Sequence, residues 1–159
     1  MSSDQPIMKK VRASGVWSAP IRVEAKAGDF SGIVMDQPPA AGGTGTGPNP
    51  MELLLAALIG CQAVTLKQVA RELDFKFSGF YSEVEGDMDL RGFMGVEGVC
   101  PYYCGLDGTV TVETDERQER LELVRTQVEE RCPVHRLLAA AGVPMNIVWR
   151  KAGELPAPA

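Results

Sequence analysis

Four cysteines, at positions 61, 100, 104 and 132, and a single histidine, His135, are the residues of this chain best suited to chemistry. A thiolate attacks electrophilic oxygen and sulfur, and it also binds soft metals. In an intracellular chain, four such residues are more often buried thiols, catalytic groups or metal ligands than structural disulfides. Only Cys100 and Cys104 are close in sequence, so a partnership of Cys61 with Cys132 has to be made by the fold. The segment Cys100-Pro101-Tyr102-Tyr103-Cys104, with Cys132 and His135, supplies the four ligands zinc needs, but its spacing matches no common knuckle. We expect no metal, and read Cys100 and Cys104 as a local disulfide or as two reduced surface thiols.

The two outer cysteines have contrasting settings. Cys61 lies near the end of Asn49-Pro50-Met51-Glu52-Leu53-Leu54-Leu55-Ala56-Ala57-Leu58-Ile59-Gly60-Cys61-Gln62-Ala63-Val64, apolar from Leu53 on except at Gln62. Asn49 suits an N-cap and Pro50 the first turn. An all-round apolar helix belongs in the centre of a fold or in a membrane. At about a dozen apolar residues this run falls short of the roughly 20 a bilayer requires, so it is read as a core helix. Beyond Cys61, Leu66, Val69, Ala70 and Leu73 keep one buried stripe. Burial penalises a thiolate, so Cys61 needs a cation or strong donor to act as a nucleophile. Cys132 sits at an N-cap position with Pro133 at the first helical residue and Gly142 placed to end the helix. There the helix field favours the thiolate. His135 falls one turn after Cys132, within reach of its thiol or a bound carboxylate.

The elements that must position these groups follow from periodicity. Residues 11–14 and 21–27 read as strands, and 30–35 returns after a Gly28-Asp29 turn. Segment 37–49 is dominated by Gly and Pro and reads as a surface linker or a loop bordering a site. Residues 75–90 form a long strand, bulged near Gly86, 91–104 an irregular connection, and 105–113 another strand. A helix over 115–131 buries Leu121, Val124 and Val128, and 143–151 closes as a strand. This order predicts an α+β fold with helices packed on an antiparallel sheet, a single domain over 1–159 with a flexible N-terminus (about 1–8) and a tail at 153–159.

Composition excludes some classes. With 45% hydrophobic and 23% charged residues the chain is ordinary for a globular protein. A net charge of -5, with no basic block beyond Lys9-Lys10, argues against a nucleic-acid partner. Residues 1–8 hold no apolar stretch, so we expect neither signal peptide nor membrane anchor, and a cytoplasmic location.

Asn49-Pro50 opening an apolar helix that carries Gly60-Cys61, the Gly-rich link before it, and Arg131-Cys132-Pro133-Val134 opening a later helix together resemble the OsmC/Ohr family of thiol-dependent hydroperoxide reductases. The resemblance implies an intertwined homodimer, with antiparallel sheets wrapped around long central helices and sites at the subunit interface. It implies that Cys61 attacks an organic hydroperoxide and becomes a sulfenate, that Cys132 condenses with it to a disulfide, and that an external dithiol, possibly lipoyl-type, restores both, with no cofactor. In the family's peroxidases an Arg activates the first cysteine and is held by a Glu directly after Asn-Pro. Here that position is Met51 and the carboxylate follows at Glu52, roughly 180° around the helix from Cys61. Glu52 therefore reads as a residue favouring the helix N-terminus. The family places the Arg in the N-terminal hairpin, where Arg12 and Arg22 stand, and Arg22 alternates with apolar residues as a solvated strand position. Met51 suggests a divergent branch, and the alternative function is a non-enzymatic protein binding an apolar small molecule in the dimer groove.

Overall fold

The computed structural model describes residues 6–152. Of the N-terminal segment and tail expected to be flexible, residues 1–5 and 153–159 lie outside the described residues. The chain divides into two compact units, one up to Leu54 and one from Leu55 on.

In the first unit β1 (Ala13–Ser18), β2 (Arg22–Ala27) and β3 (Phe30–Met35) form an antiparallel meander. The β2–β3 turn uses Gly28 at φ 59°, a left-handed conformation natural to glycine. This sheet has almost no interior of its own. Among the described residues the buried hydrophobic side chains begin only at Leu58, while Trp17 is 62% and Phe30 79% exposed.

What the first unit does bury is a charge. Asp36 is 2% exposed. Its carboxylate accepts the main-chain N–H groups of Gln37 (2.8 Å), Thr44 (3.2 Å) and Thr46 (3.1 Å) and the hydroxyls of Thr44 (2.5 Å) and Thr46 (2.8 Å). Gly43 lies so close to the Gln37 carbonyl that a Cβ would stand 1.9 Å from its oxygen, so no side chain fits. The segment read as a linker is thus a loop folded around one carboxylate, with a single 3-10 turn at Pro39–Ala41.

Helix α1 (Pro50–Glu72) starts with a capping box. The Asn49 side chain accepts the N–H groups of Met51 and Glu52, both at 2.9 Å, and the Glu52 carboxylate accepts the Asn49 N–H at 2.7 Å. In the second unit β4 (Gly79–Met88) pairs antiparallel with β5 (Tyr103–Glu113), which pairs with β6 (Met145–Ala152). The last pairing is parallel, so the expected antiparallel sheet is mixed. The reason is the crossover: helices α3 (Gln118–Arg131) and α4 (Pro133–Ala140) return the chain to the end from which β5 began. The β4–β5 register shifts between Asp87 and Met88, next to the glycine that suggested a bulge.

Boundaries differ where side chains intervene. The hydroxyl of Thr114 accepts the Glu116 N–H at 3.1 Å and donates to the Lys76 carbonyl at 2.5 Å. This holds 114–116 out of α3, which begins at Gln118 rather than 115. The connection expected to be irregular contains a short helix, α2 (Leu90–Phe93), capped by Asp89 on the Arg91 N–H at 3.0 Å.

The core joins Leu66, Val69 and Ala70 of α1, Val110 and Val112 of β5, Leu121, Val124 and Val128 of α3, Trp149 of β6, Phe75 and Cys132. The Thr44 hydroxyl above all, with the Thr46 and Gln37 N–H groups and the Thr46 hydroxyl, holds the Asp36 carboxyl well below the usual carboxylate range, although burial acts against them. A depressed folded-state pKa stabilises the fold above the unfolded value, about 3.9, and the contribution is lost as pH falls below that. Asp36→Asn is therefore expected to lower Tm at pH 6–8 and to speed amide exchange at Thr44 and Thr46 by at least about tenfold, with the difference from wild type narrowing below about pH 4. A Tm difference that does not vary between pH 3 and 7 would exclude this role.

Candidate dithiol site

Helix α1 buries a stripe of Leu58, Gln62, Leu66, Val69 and Ala70. Leu66, Val69 and Ala70 of this stripe pack in the core, while the helix, at 23 residues, is also long and apolar enough by composition to cross a bilayer. Length alone does not separate the two roles, because the helix extends well past the apolar run into Lys67, Arg71 and Glu72. Cys61 is half-buried and packs against the same core.

Cys132 is the joint between α3 and α4. Its N–H donates to the Val128 carbonyl at 2.8 Å, ending α3, and its carbonyl accepts the Arg136 N–H at 2.9 Å, opening α4. Pro133 occupies the first helical turn, and Gly142 at φ 80° follows the C-cap Ala141. The Cys132 side chain is fully buried and belongs to the core.

The fold brings these two thiols together. Cys132 interacts with the Cys61 side chain, and both are free thiols. Burial pushes the Cys132 thiol up to about 11, the Cys61 thiol adds to the rise, and the N–H groups of His135 and Val134 oppose it. The amides at the start of α4 do favour the Cys132 thiolate, as expected, but burial disfavours it more. Desolvation outweighs the helix field, and Cys132 makes no capping hydrogen bond that would bring its sulfur fully onto those amides.

His135 is half-buried, and its Nδ1 is buried without a protein partner. Burial, opposed by Glu129 and reinforced by Arg136, lowers its pKa, so the imidazole is neutral at pH 7. Glu52 is engaged in the capping box. Arg22 pairs with Glu24 two residues along its own strand, at 2.5 Å. The Arg12 carbonyl accepts the Gly28 N–H at 2.9 Å. Cys100 is half-buried with its sulfur 3.9 Å from the Tyr102 carbonyl, and Cys104 is exposed. Among the described residues no group of three or more His, Cys, Asp and Glu side chains is arranged to hold a metal ion.

Two features were passed over in the sequence. Gln62, beside Cys61, is 1% exposed with its Nε2 unpartnered by protein, and its visible signal was being the one polar residue in an apolar run. Glu72 and Arg131 form an ion pair across α1 and α3, for which local sequence held no signal.

The chain is thus an α+β fold in which a thiol on a core helix interacts with one at the N-cap position of a late helix. The chain belongs to the family of OsmC-like proteins, which it matches over residues 43–148. Among solved structures it is similar to an OsmC-like protein from Mycoplasma pneumoniae, with TM-score 0.78 and 19% identity, covering 92% of this chain and 99% of that one. It is also similar to an organic hydroperoxide resistance protein OsmC from Legionella pneumophila, with TM-score 0.69 and 17% identity over 91% and 98% of the two chains. The organic hydroperoxide resistance protein OhrB of Bacillus subtilis gives TM-score 0.63 and 18% identity over 89% and 98%. At these identities the likeness is one of fold. No curated protein sequence matches the chain.

The buried, high-pKa Cys132 predicts an order of alkylation. In native protein at pH 8, iodoacetamide should label Cys104 at least about a hundredfold faster than Cys132, and the gap should close in denaturant, as read by peptide mass spectrometry. Equal native rates would contradict the burial of Cys132.

Proposed function

We propose that the protein is a homodimeric thiol peroxidase that reduces organic hydroperoxides. The observation that carries this reading is that the Cys61 side chain, partly accessible, packs against the core holding the sealed Cys132 and interacts with its thiol. The Cys61 thiolate attacks one peroxide oxygen, so that an S–O bond forms, the O–O bond breaks and the alkoxide leaves as the alcohol after taking a proton. The Cys132 sulfur then attacks the sulfenic sulfur. An S–S bond forms, the S–O bond breaks, and the hydroxyl leaves as water with the Cys132 proton. An external dithiol, lipoyl-type by family resemblance, restores both thiols by exchange. No metal or organic cofactor enters these steps.

The division of labour suits the two environments. A thiol held near pKa 11 stays protonated, and so does not compete with Cys61 for peroxide. It acts when Cys61, once a sulfenic acid, presents an electrophilic sulfur to it. Four free thiols fit a reducing cytoplasm, where the chain would work. Support for the dimer comes from what one chain leaves uncovered: a three-stranded sheet with no buried apolar side chain, and α1 with Ala57, Gly60 and Val64 exposed.

Consumption of an alkyl hydroperoxide with a dithiol reductant is expected to fall to background in Cys61→Ser. Cys132→Ser should complete one turnover and accumulate a sulfenate trapped by dimedone. Undiminished turnover in Cys61→Ser would remove the proposed nucleophile. Negligible turnover in wild type, with an apolar small molecule retained equally by wild type and Cys61→Ser, would instead favour the binding function. Sedimentation should give a dimer.

A further inference from the structure

We infer that the Glu72–Arg131 ion pair is a positioning device that sets how closely Cys132 approaches Cys61. The inference rests on the dithiol reading above. Arg131 is the last residue of α3 and immediately precedes Cys132. Because Cys132 is tied on one side to Val128 and on the other to Arg136, the joint is stiff, and wherever Arg131 is anchored Cys132 follows. The anchor lies on the helix that carries the other thiol. Glu72 stands about three turns beyond Cys61 on α1, on nearly the same face.

The contact is a two-point fork. Arg131 Nη1 donates to one Glu72 oxygen at 2.5 Å and Nη2 to the other at 3.0 Å. A planar guanidinium on a carboxylate fixes orientation as well as distance, which a point charge does not. The acceptor is itself held. Gln68 Nε2 donates to Glu72 Oε1, and Arg71 Nη2 donates to the Gln68 side-chain oxygen Oε1 at 2.7 Å. Arg131, followed by Gln68, holds the Glu72 carboxyl down at about 2, so the pair stays charged through the physiological range. With side chains 37% and 42% exposed, the pair adds little to global stability. Its effect is directional: it ties α1 to the α3–α4 joint, and so sets the separation of the two thiols before either is oxidised.

The test reads thiol proximity without peroxide. In a Cys100→Ser/Cys104→Ser background only Cys61 and Cys132 remain to exchange with glutathione. Two electrons pass from the protein dithiol to glutathione disulfide, giving the protein disulfide and two reduced glutathiones. The oxidised fraction across glutathione mixtures, quenched by alkylation and counted by mass, gives the effective concentration of one thiol at the other. Glu72→Gln and Arg131→Gln are each expected to shift that equilibrium roughly three- to tenfold toward the dithiol with little change in Tm, and the exchange Glu72→Arg/Arg131→Glu to recover most of the shift. An equilibrium unmoved by the single variants, or a charge exchange as impaired as the two losses combined, overturns the clamp while leaving the dithiol in place. Failure of the parent to form any Cys61–Cys132 disulfide overturns the dithiol reading and the clamp with it.

Discussion

The second unit depends on the burial of Cys132. Its main-chain N–H closes the end of α3 and its carbonyl opens α4, while its fully buried sulfur fills part of the core with Leu66, Val110, Val128 and Trp149. A serine there would cap the helix better but would leave a hydroxyl to satisfy in a dry site. Sulfur tolerates that site because it is a weak hydrogen-bonding group, and burial then keeps it protonated. The packing role and the proposed chemical role are thus one constraint, since the burial that makes Cys132 a good core residue also keeps its thiol protonated.

The two units settle their polar groups in opposite ways. The second has a conventional apolar interior, with one stripe of α1 packed into it. The first has none, and its most buried side chain is the Asp36 carboxylate with its five donors. A meander of three strands with exposed Trp17 and Phe30 is marginal as an isolated element. Its apolar surface needs cover, which is the physical content of the proposed dimer.

Legibility in the sequence tracked how local the determining interactions are. The cap at Asn49-Pro50, the joint at Cys132-Pro133 and the stop at Gly142 involve residues within a turn of one another, and type and spacing suffice to read them. The parallel β5–β6 pairing was not legible, because alternation says which residues face inward but not which way the neighbouring strand runs. Nor was the Asp36 loop, where Gly and Pro correctly excluded helix and strand but a carboxylate eight and ten residues from its threonine partners left no pattern. The apposition of Cys61 and Cys132 was reachable only through family resemblance, since nothing local to either cysteine names the other.

Two of the charged groups considered for activating Cys61 have partners of their own. Glu52 returns its carboxylate to the Asn49 N–H, and Arg22 is paired along its strand with Glu24. The Glu–Arg fork that the chain does possess, Glu72 with Arg131, lies beside the second cysteine instead. Chemistry limited by the nucleophile gains most from a cation at Cys61, whereas chemistry limited by disulfide closure gains most from fixing Cys132. The placement of the fork on the Cys132 side matches the second case: in the proposed cycle, orientation compensates for a thiol that burial keeps largely protonated.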